Sequence, residues 1–277
     1  MNSVQPNFFI AGAPKAGTTS LYHYLDQHPQ IYMSPVKEAN YFASEICLEN
    51  FAEEHQDRVS RDMQAMQDYL AGPMSVKRFG AVGLQWQDYL RLFRNVRQEE
   101  AIGEGSVLYL WSESAAKNIL AKIPAAKIIL ILRDPAERAF SQYQQLAKKG
   151  RTSSSFSETC RQAMQASHGK FRAFRPFLEL GVYADGVRRY LDLFPRENVH
   201  IAFYEDYRRD ARATFAGILG FLKVDTGFKA DLSRQHLAGV PGNVMDREDR
   251  ELLTTFYRDD IRRLGHLLNR DLSHWER

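Results

Sequence analysis

The chain has 277 residues, 44% of them apolar and 26% charged, with 37 Lys plus Arg against 34 Asp plus Glu for a net charge of +3. That length suits one large α/β domain or two small ones, and the composition excludes a disordered or membrane-embedded class. So small a charge excess gives no argument for a nucleic-acid or membrane-surface partner, and none is expected.

Phe8–Ala11 is a short apolar run that reads as a buried strand. Gly12 and Gly17 follow, with four residues between them, and then a helix-like pattern from Thr18. Up to Gly17 this matches a Walker A loop. Thr18-Thr19 then stands where Lys-Ser/Thr is required, and Lys15 lies before the second glycine. The backbone cradle survives this change. Amides from Ala16 to Ser20 can face an anion at a helix N-terminus, the hydroxyls of Thr18, Thr19 and Ser20 can add hydrogen bonds, and Lys15 can reach the anion from the side. The plainer alternative is a strand–helix turn capped by Thr18 or Thr19.

Ala43–Arg97 is polar, helix-prone and without an obvious strand. Ala101–Gly103 reads as a weak strand and Lys127–Leu132 (KIILIL) as a strong one. Arg133 stands at the end of KIILIL, where parallel sheets bind ligands, and its planar fork suits a phosphate. A surface ion pair with Asp134 or Glu137 is the alternative. Pro135 favours a helix start, and Ser141 follows eight residues after Arg133. Lys148–Pro176 holds a serine-rich turn and scattered basic residues. Val187, Tyr190, Leu191 and Phe194 then share one helix face within Asp185–Phe194. Val199–Phe203 is a third buried strand, and Ala211–Leu222 and Arg247–Leu268 read as helices.

Alternating strands and helices predict an α/β, P-loop-type three-layer fold with a central parallel sheet flanked by helices. No linker or repeat divides the chain, so residues 1–277 read as a single domain. Segments 43–97 and 148–176 read as substrate-side insertions, with solvated connecting helices as the alternative. Cys47 and Cys160 form no disulfide framework or zinc spacing. No apolar run approaches the ~18–20 residues that cross a bilayer, and no signal peptide is evident, so the cytoplasm is the expected compartment.

"PKAGTTSL", Pro14–Leu21, resembles the 5′-phosphosulfate loop of sulfotransferases that use 3′-phosphoadenosine 5′-phosphosulfate (PAPS). The resemblance implies that Arg133 and Ser141 bind the 3′-phosphate. "SPVKEANYF", Ser34–Phe42, is similar to the Lys-Glu-x-x-x-Phe segment of carbohydrate and bacterial members, which makes Glu38 the implied general base. An exposed Lys37–Glu38 pair opening a short helix is the alternative. "IGEGSVLYL", Ile102–Leu110, resembles the acceptor-side Gly-Glu segment. Glu104 there orients Lys15 or the acceptor, or replaces Glu38 as base, and Gly105 departs from the lysine found in some relatives. "GVYADGVRRYLDLFPRENVHIAFYEDY" resembles a further family block, in which Tyr183 approaches the nucleotide or serves the core. Ser20 stands where cytosolic relatives carry an adenine-stacking Trp. "RQHLAGVPGN", Arg234–Asn243, lies where a late loop closes the cofactor, which gives a lid near 225–245 with Arg234 and Gly239 as candidate contacts and Gly242 in place of a frequent Arg.

The resemblance thus implies sulfuryl transfer from PAPS, with 3′-phosphoadenosine 5′-phosphate (PAP) as product and no metal. The acceptor is a hydroxyl or amine of a small molecule or carbohydrate, and a homodimer is left open. A P-loop nucleotide or small-molecule kinase and a non-catalytic nucleotide-binding protein are the alternatives. The basic cluster Lys148, Lys149, Arg151, Lys170, Arg172 and Arg175 reads as a solvated face or as an attractor of an acidic acceptor.

Overall fold

The computed structural model describes residues 4–165, 177–233 and 244–277. In chain order, β1 (Phe8–Gly12), α1 (Thr18–Leu25), β2 (Ile31–Met33) and β3 (Val36–Lys37) come first. The region expected to lack strands holds α2 (Glu53–Ala71), β4 (Arg78–Phe79) and α3 (Trp86–Arg91). Next come β5 (Ala101–Gly105), α4 (Ala115–Lys122), β6 (Lys127–Leu132), α5 (Pro135–Lys148) and α6 (Phe156–Gln165). The C-terminal part is α7 (Ala184–Leu193), β7 (Val199–Phe203), α8 (Tyr204–Arg209), α9 (Ala211–Leu222) and α10 (Arg247–Leu268), closed by a 3-10 turn at Ser273–Glu276.

Five strands form one parallel sheet in the order β2-β5-β1-β6-β7. Every residue of β1 is buried, as is β6 beyond Lys127, so the sheet is covered on both faces. β1 hands the chain toward β2 on one side, and β6 hands it to β7 on the other. The chain therefore diverges at the β1/β6 pair, the place where open parallel sheets form a ligand crevice at their C-terminal ends. β3 and β4 make a separate two-stranded parallel sheet.

Helix ends follow local chemistry. Asp134 caps α5 by accepting from the amides of Ala136 and Glu137, with Pro135 in the first turn. Leu253, Tyr257, Ile261 and Leu264 make one buried stripe of α10, which packs on α5 and α7. Arg250 of α10 grips both oxygens of Asp134 at 2.9 and 2.6 Å. It also holds the backbone oxygens of Trp275 and Arg277, so the C-terminal turn is tied to the start of α5. Cys47 is half-buried and Cys160 buried, and both are free. No helix among the described residues is long and apolar enough to cross a membrane.

Gly103 faces Phe8 across the β1/β5 pairing, and a Cβ there would overlap the Phe8 ring. Gly103→Ala is expected to destabilise the fold by about 1–3 kcal/mol, the usual cost of overpacking a closed core. Urea unfolding of the variant against the wild type checks this.

Candidate active site

The loop after β1 turns into α1 at Gly17, whose φ of 86° lies in the left-handed region. A Cβ at Gly17 would also crowd the Tyr207 ring at 3.0 Å, so both conformation and space demand glycine. Gly17 is the N-cap, and no side chain caps the helix, so neither Thr18 nor Thr19 serves that role. The first-turn amides of α1 have no acceptor within the helix, which leaves them suited to an anion. Thr18 and Ser20 are buried, Thr19 is half-buried, and Ala16 is fully enclosed.

Lys15 is half-buried and has a φ of 67°. Its ammonium donates to Oε1 of Gln145 at 3.2 Å, a neutral partner on α5. Burial pushes the Lys15 pKa down to about 8, helped by the charges of Arg133, Arg138 and Lys149. Arg133 follows β6 and donates to the carbonyl of Lys15 at 2.9 Å. Its guanidinium lies 4.6 Å from the centre of the Tyr204 ring, with Glu137 at 3.4 Å as a loose ion-pair partner. The alternative reading, a pair with Glu137, therefore holds alongside the contact to the loop after β1. Ser141 is buried on α5, one helical turn before Gln145. Arg138 is wholly buried on the same helix and donates to Gln142 and to the carbonyl of Phe177, both at 2.6 Å. Several cations thus converge on the loop, and the carboxylates beside them are few. That is the electrostatic profile of an anion site.

The acidic end lies one strand away, above β5. Lys37 and Glu38 form a buried ion pair; they do not open an exposed helix. The other carboxylate oxygen of Glu38 accepts from the Val107 amide at 2.9 Å. Glu38 has a φ of 65°. Lys15 and Glu38 therefore share a left-handed backbone that costs a non-glycine residue about 1–3 kcal/mol, strain that tends to collect at functional positions. Glu104 is completely buried and accepts from the Ser106 hydroxyl at 2.5 Å through Oε1. Its Oε2 has no hydrogen-bond partner among the described residues. Burial raises the Glu104 pKa to about 7; the Ser106 hydrogen bond and the nearby Tyr109 hydroxyl oppose this and the charge of Glu38 adds to it. The Ser106 hydroxyl also accepts from the Asn40 amide at 2.9 Å, which ties the Glu38 turn to the end of β5.

Tyr183 sits in the core, 1% exposed, with its ring against Trp275 and its amide on Asp260 at 2.6 Å. Arg234 and Gly239 lie outside the described residues, as do Lys170, Arg172 and Arg175 of the basic cluster. Three residues that sequence reading missed join the site: Gln145 and Arg138 beside Lys15, and Tyr204 under Arg133. Gln145 and Arg138 stand on the same helix as Ser141, at helical spacings of four and three, which is the signal that could have found them.

A parallel α/β sheet with an anion loop at its switch point defines a P-loop-type nucleotide fold. The chain belongs to the sulfotransferase family, whose model matches residues 6–227. A sulfotransferase from Alicyclobacillus acidocaldarius superposes with a TM-score of 0.76 at 34% identity, covering 99% of this chain and all of that one. Human carbohydrate sulfotransferase 15 is 25% identical over 98% of this chain. Human bifunctional heparan sulfate N-deacetylase/N-sulfotransferase 3 is 26% identical over 98%. The chain spans 54% and 31% of those two relatives. A mouse sulfotransferase complexed with PAP shares the fold at a TM-score of 0.54 and 14% identity. Another relative, the membrane-associated sulfotransferase kil1 of Dictyostelium discoideum, is 21% identical over 98% of this chain, so kinship gives no support to the cytoplasmic location expected from the sequence.

Proposed function

We propose that the protein transfers a sulfuryl group from PAPS to a hydroxyl or amine of a carbohydrate or small-molecule acceptor. The observation that carries this reading is the order of groups along the C-terminal edge of the sheet. The carboxyls lie at β5, the anion loop with Lys15 at β1, Arg133 at β6 and Tyr204 at β7. A nucleotide phosphorylated on both sides of its ribose fits that line. Its 5′ end would rest on the amides of Ala16, Gly17, Thr18, Thr19 and Ser20, its 3′-phosphate near Arg133 and Ser141, and its base toward Tyr204.

The acceptor oxygen or nitrogen attacks sulfur as the bond from sulfur to the bridging oxygen breaks. The acceptor proton passes to Glu38, and PAP leaves with the charge of the broken bond. Lys15 offsets that charge, and fixed amides and cations need little reorganisation to do so. Lys37 holds the Glu38 carboxylate in place. Glu38 is 1% exposed, and the amides of Gly80 and Ala81 bond to the carbonyls of Lys37 and Glu38. Acceptor entry therefore requires movement of the 79–83 segment, which belongs to the 43–97 insertion assigned to the acceptor side. The 148–176 insertion and the 225–245 lid complete the organisation we assign to this single domain.

Calorimetry with PAP and with ATP tests the reading. Wild-type protein is expected to bind PAP at least ~10-fold more tightly than ATP, the effect of one charge-assisted contact to a 3′-phosphate. Preference for ATP would support the kinase alternative. Labelled PAPS offered with a panel of oligosaccharides and small alcohols and amines then identifies the acceptor class; binding without transfer to any member would favour the non-catalytic alternative.

A further inference from the structure

A cleft of about 430 Å³ opens beside Arg133, between the ends of β6 and β7. Its walls include Arg133, Tyr204, Glu205, Arg208, His274 and Trp275. Three acids also line it: Asp134 and Glu137 have ion-pair partners, whereas Oε2 of Glu205 is buried with no hydrogen-bond partner among the described residues. Asp134 is held by Arg250 and by the cap of α5. Glu137 faces Arg133, and Glu205 accepts from the Asp134 amide at 3.0 Å. Arg209, the neighbouring cation, pairs with Asp206 at 2.8 Å. Arg208 is exposed and has no ion-pair partner among the described residues. His274 comes from the C-terminal turn, whose position is fixed by the buried Trp275 and the grip of Arg250 on the Trp275 and Arg277 carbonyls.

An exposed arginine, a histidine and the guanidinium of Arg133 thus border one cleft at the far end of the nucleotide line. We infer that Arg208 and His274 complete the receptor for the second phosphate of the donor, so that α8 and the C-terminal turn help select a 3′-phosphorylated nucleotide. This rests on the donor reading above. It places an arginine on α8 and a ring donor on the C-terminal turn, both bordering the Arg133 cleft. A phosphate dianion is the ligand that such a cluster suits: Arg133 and Arg208 offer planar forks of N–H donors and His274 a further ring donor.

The test compares PAP with adenosine 5′-phosphate, which lacks only the 3′-phosphate. Calorimetry on the full chain is run for the wild type, Arg208→Ala, Arg208→Lys, His274→Gln and Arg234→Ala. Arg208→Ala is expected to weaken PAP by about 10-fold or more and adenosine 5′-phosphate by less than about twofold. Arg208→Lys should recover part of the loss, because charge returns without the fork. His274→Gln should cost PAP about threefold, because the donor at the ring position is lost. Arg208 is exposed, so its variants should unfold at the wild-type temperature. Unchanged PAP affinity in Arg208→Ala overturns the inference. So do equal losses for both nucleotides, or selectivity lost in Arg234→Ala alone. If the wild type itself does not prefer PAP, the donor reading fails first and takes the inference with it.

Discussion

Lys15→Ala is expected to lower the sulfuryl-transfer rate by about 10²–10³-fold, the usual cost of removing one preorganised donor from developing charge. Binding of PAP should fall much less, since the loop amides and Arg133 remain. The physical reason lies in what surrounds the ammonium. Its hydrogen-bond partner is the neutral Gln145, and Arg133, Arg138 and Lys149 all repel it. A charge held this way is unspent in the free protein and available to a leaving phosphate. The same environment sets a pH limit. The Lys15 pKa is lowered to about 8, so the rate that depends on its charge should fall as pH rises through about 8. Lys15→Arg keeps its charge throughout this range and should abolish that limb of the profile, though its fork is misplaced for a single bridging oxygen.

The linkage to stability has a definite sign. A lysine whose folded pKa lies below its unfolded value of 10.5 binds fewer protons when folded. This group therefore makes the free protein more stable as pH rises between about 8 and 10.5. An anion in the loop relieves the repulsion by favouring the protonated form. The rise in melting temperature caused by PAP should be larger at pH 7 than at pH 9 in the wild type, and the difference should shrink in Lys15→Ala. A rate and a PAP response unchanged by Lys15→Ala would remove Lys15 from the site.

The long strands were legible because each carries its own signal. Lys127–Leu132 and Val199–Phe203 are apolar runs ended by polar residues, and both appear with the expected bounds. Ala101–Gly103 extends to Gly105. β2 has three residues and β3 and β4 two each, too few to show a period, and they exist because a partner strand lies alongside. β4 consequently broke the expectation of a strandless 43–97 segment. In the candidate site, the strand–loop–helix turn at Gly12–Thr18 and the place of Arg133 at the end of β6 were readable because short motifs carry their geometry. The Lys15–Gln145 contact spans 130 positions and has no spacing signature of its own. Burial was equally hidden. Nothing in "KEANYF" says that Lys37 and Glu38 turn inward, and nothing in "GVYADG" decides between core and cleft for Tyr183. Those outcomes depend on which chains cover the edge of the sheet, a property of the assembled fold.

The two carboxyls at the acidic end should part company when each becomes its amide. Glu38→Gln removes the proposed base and is expected to slow transfer by about 10²–10⁴-fold. Glu104→Gln should leave the rate nearly unchanged and stabilise the protein at alkaline pH. Glu104 is enclosed by Tyr89, Tyr109, Ser106, Lys37 and Glu38, and burial lifts its pKa from 4.5 to about 7. Its folded state thus binds more protons than the unfolded chain between those values, so wild-type stability drains away as pH rises through them. Two to three pKa units correspond to about 3 kcal/mol, and the glutamine, a neutral near-isostere of the protonated acid, does not incur that loss. The stability of Glu104→Gln relative to wild type should therefore grow by about 3 kcal/mol between pH 4.5 and pH 8, read from denaturant midpoints at the two pH values. A constant difference would mean that Glu104 ionises freely inside the fold. If instead Glu104→Gln loses transfer while Glu38→Gln keeps it, the proton leaves the acceptor by way of Glu104, and Lys37–Glu38 is a structural pair that shapes the turn.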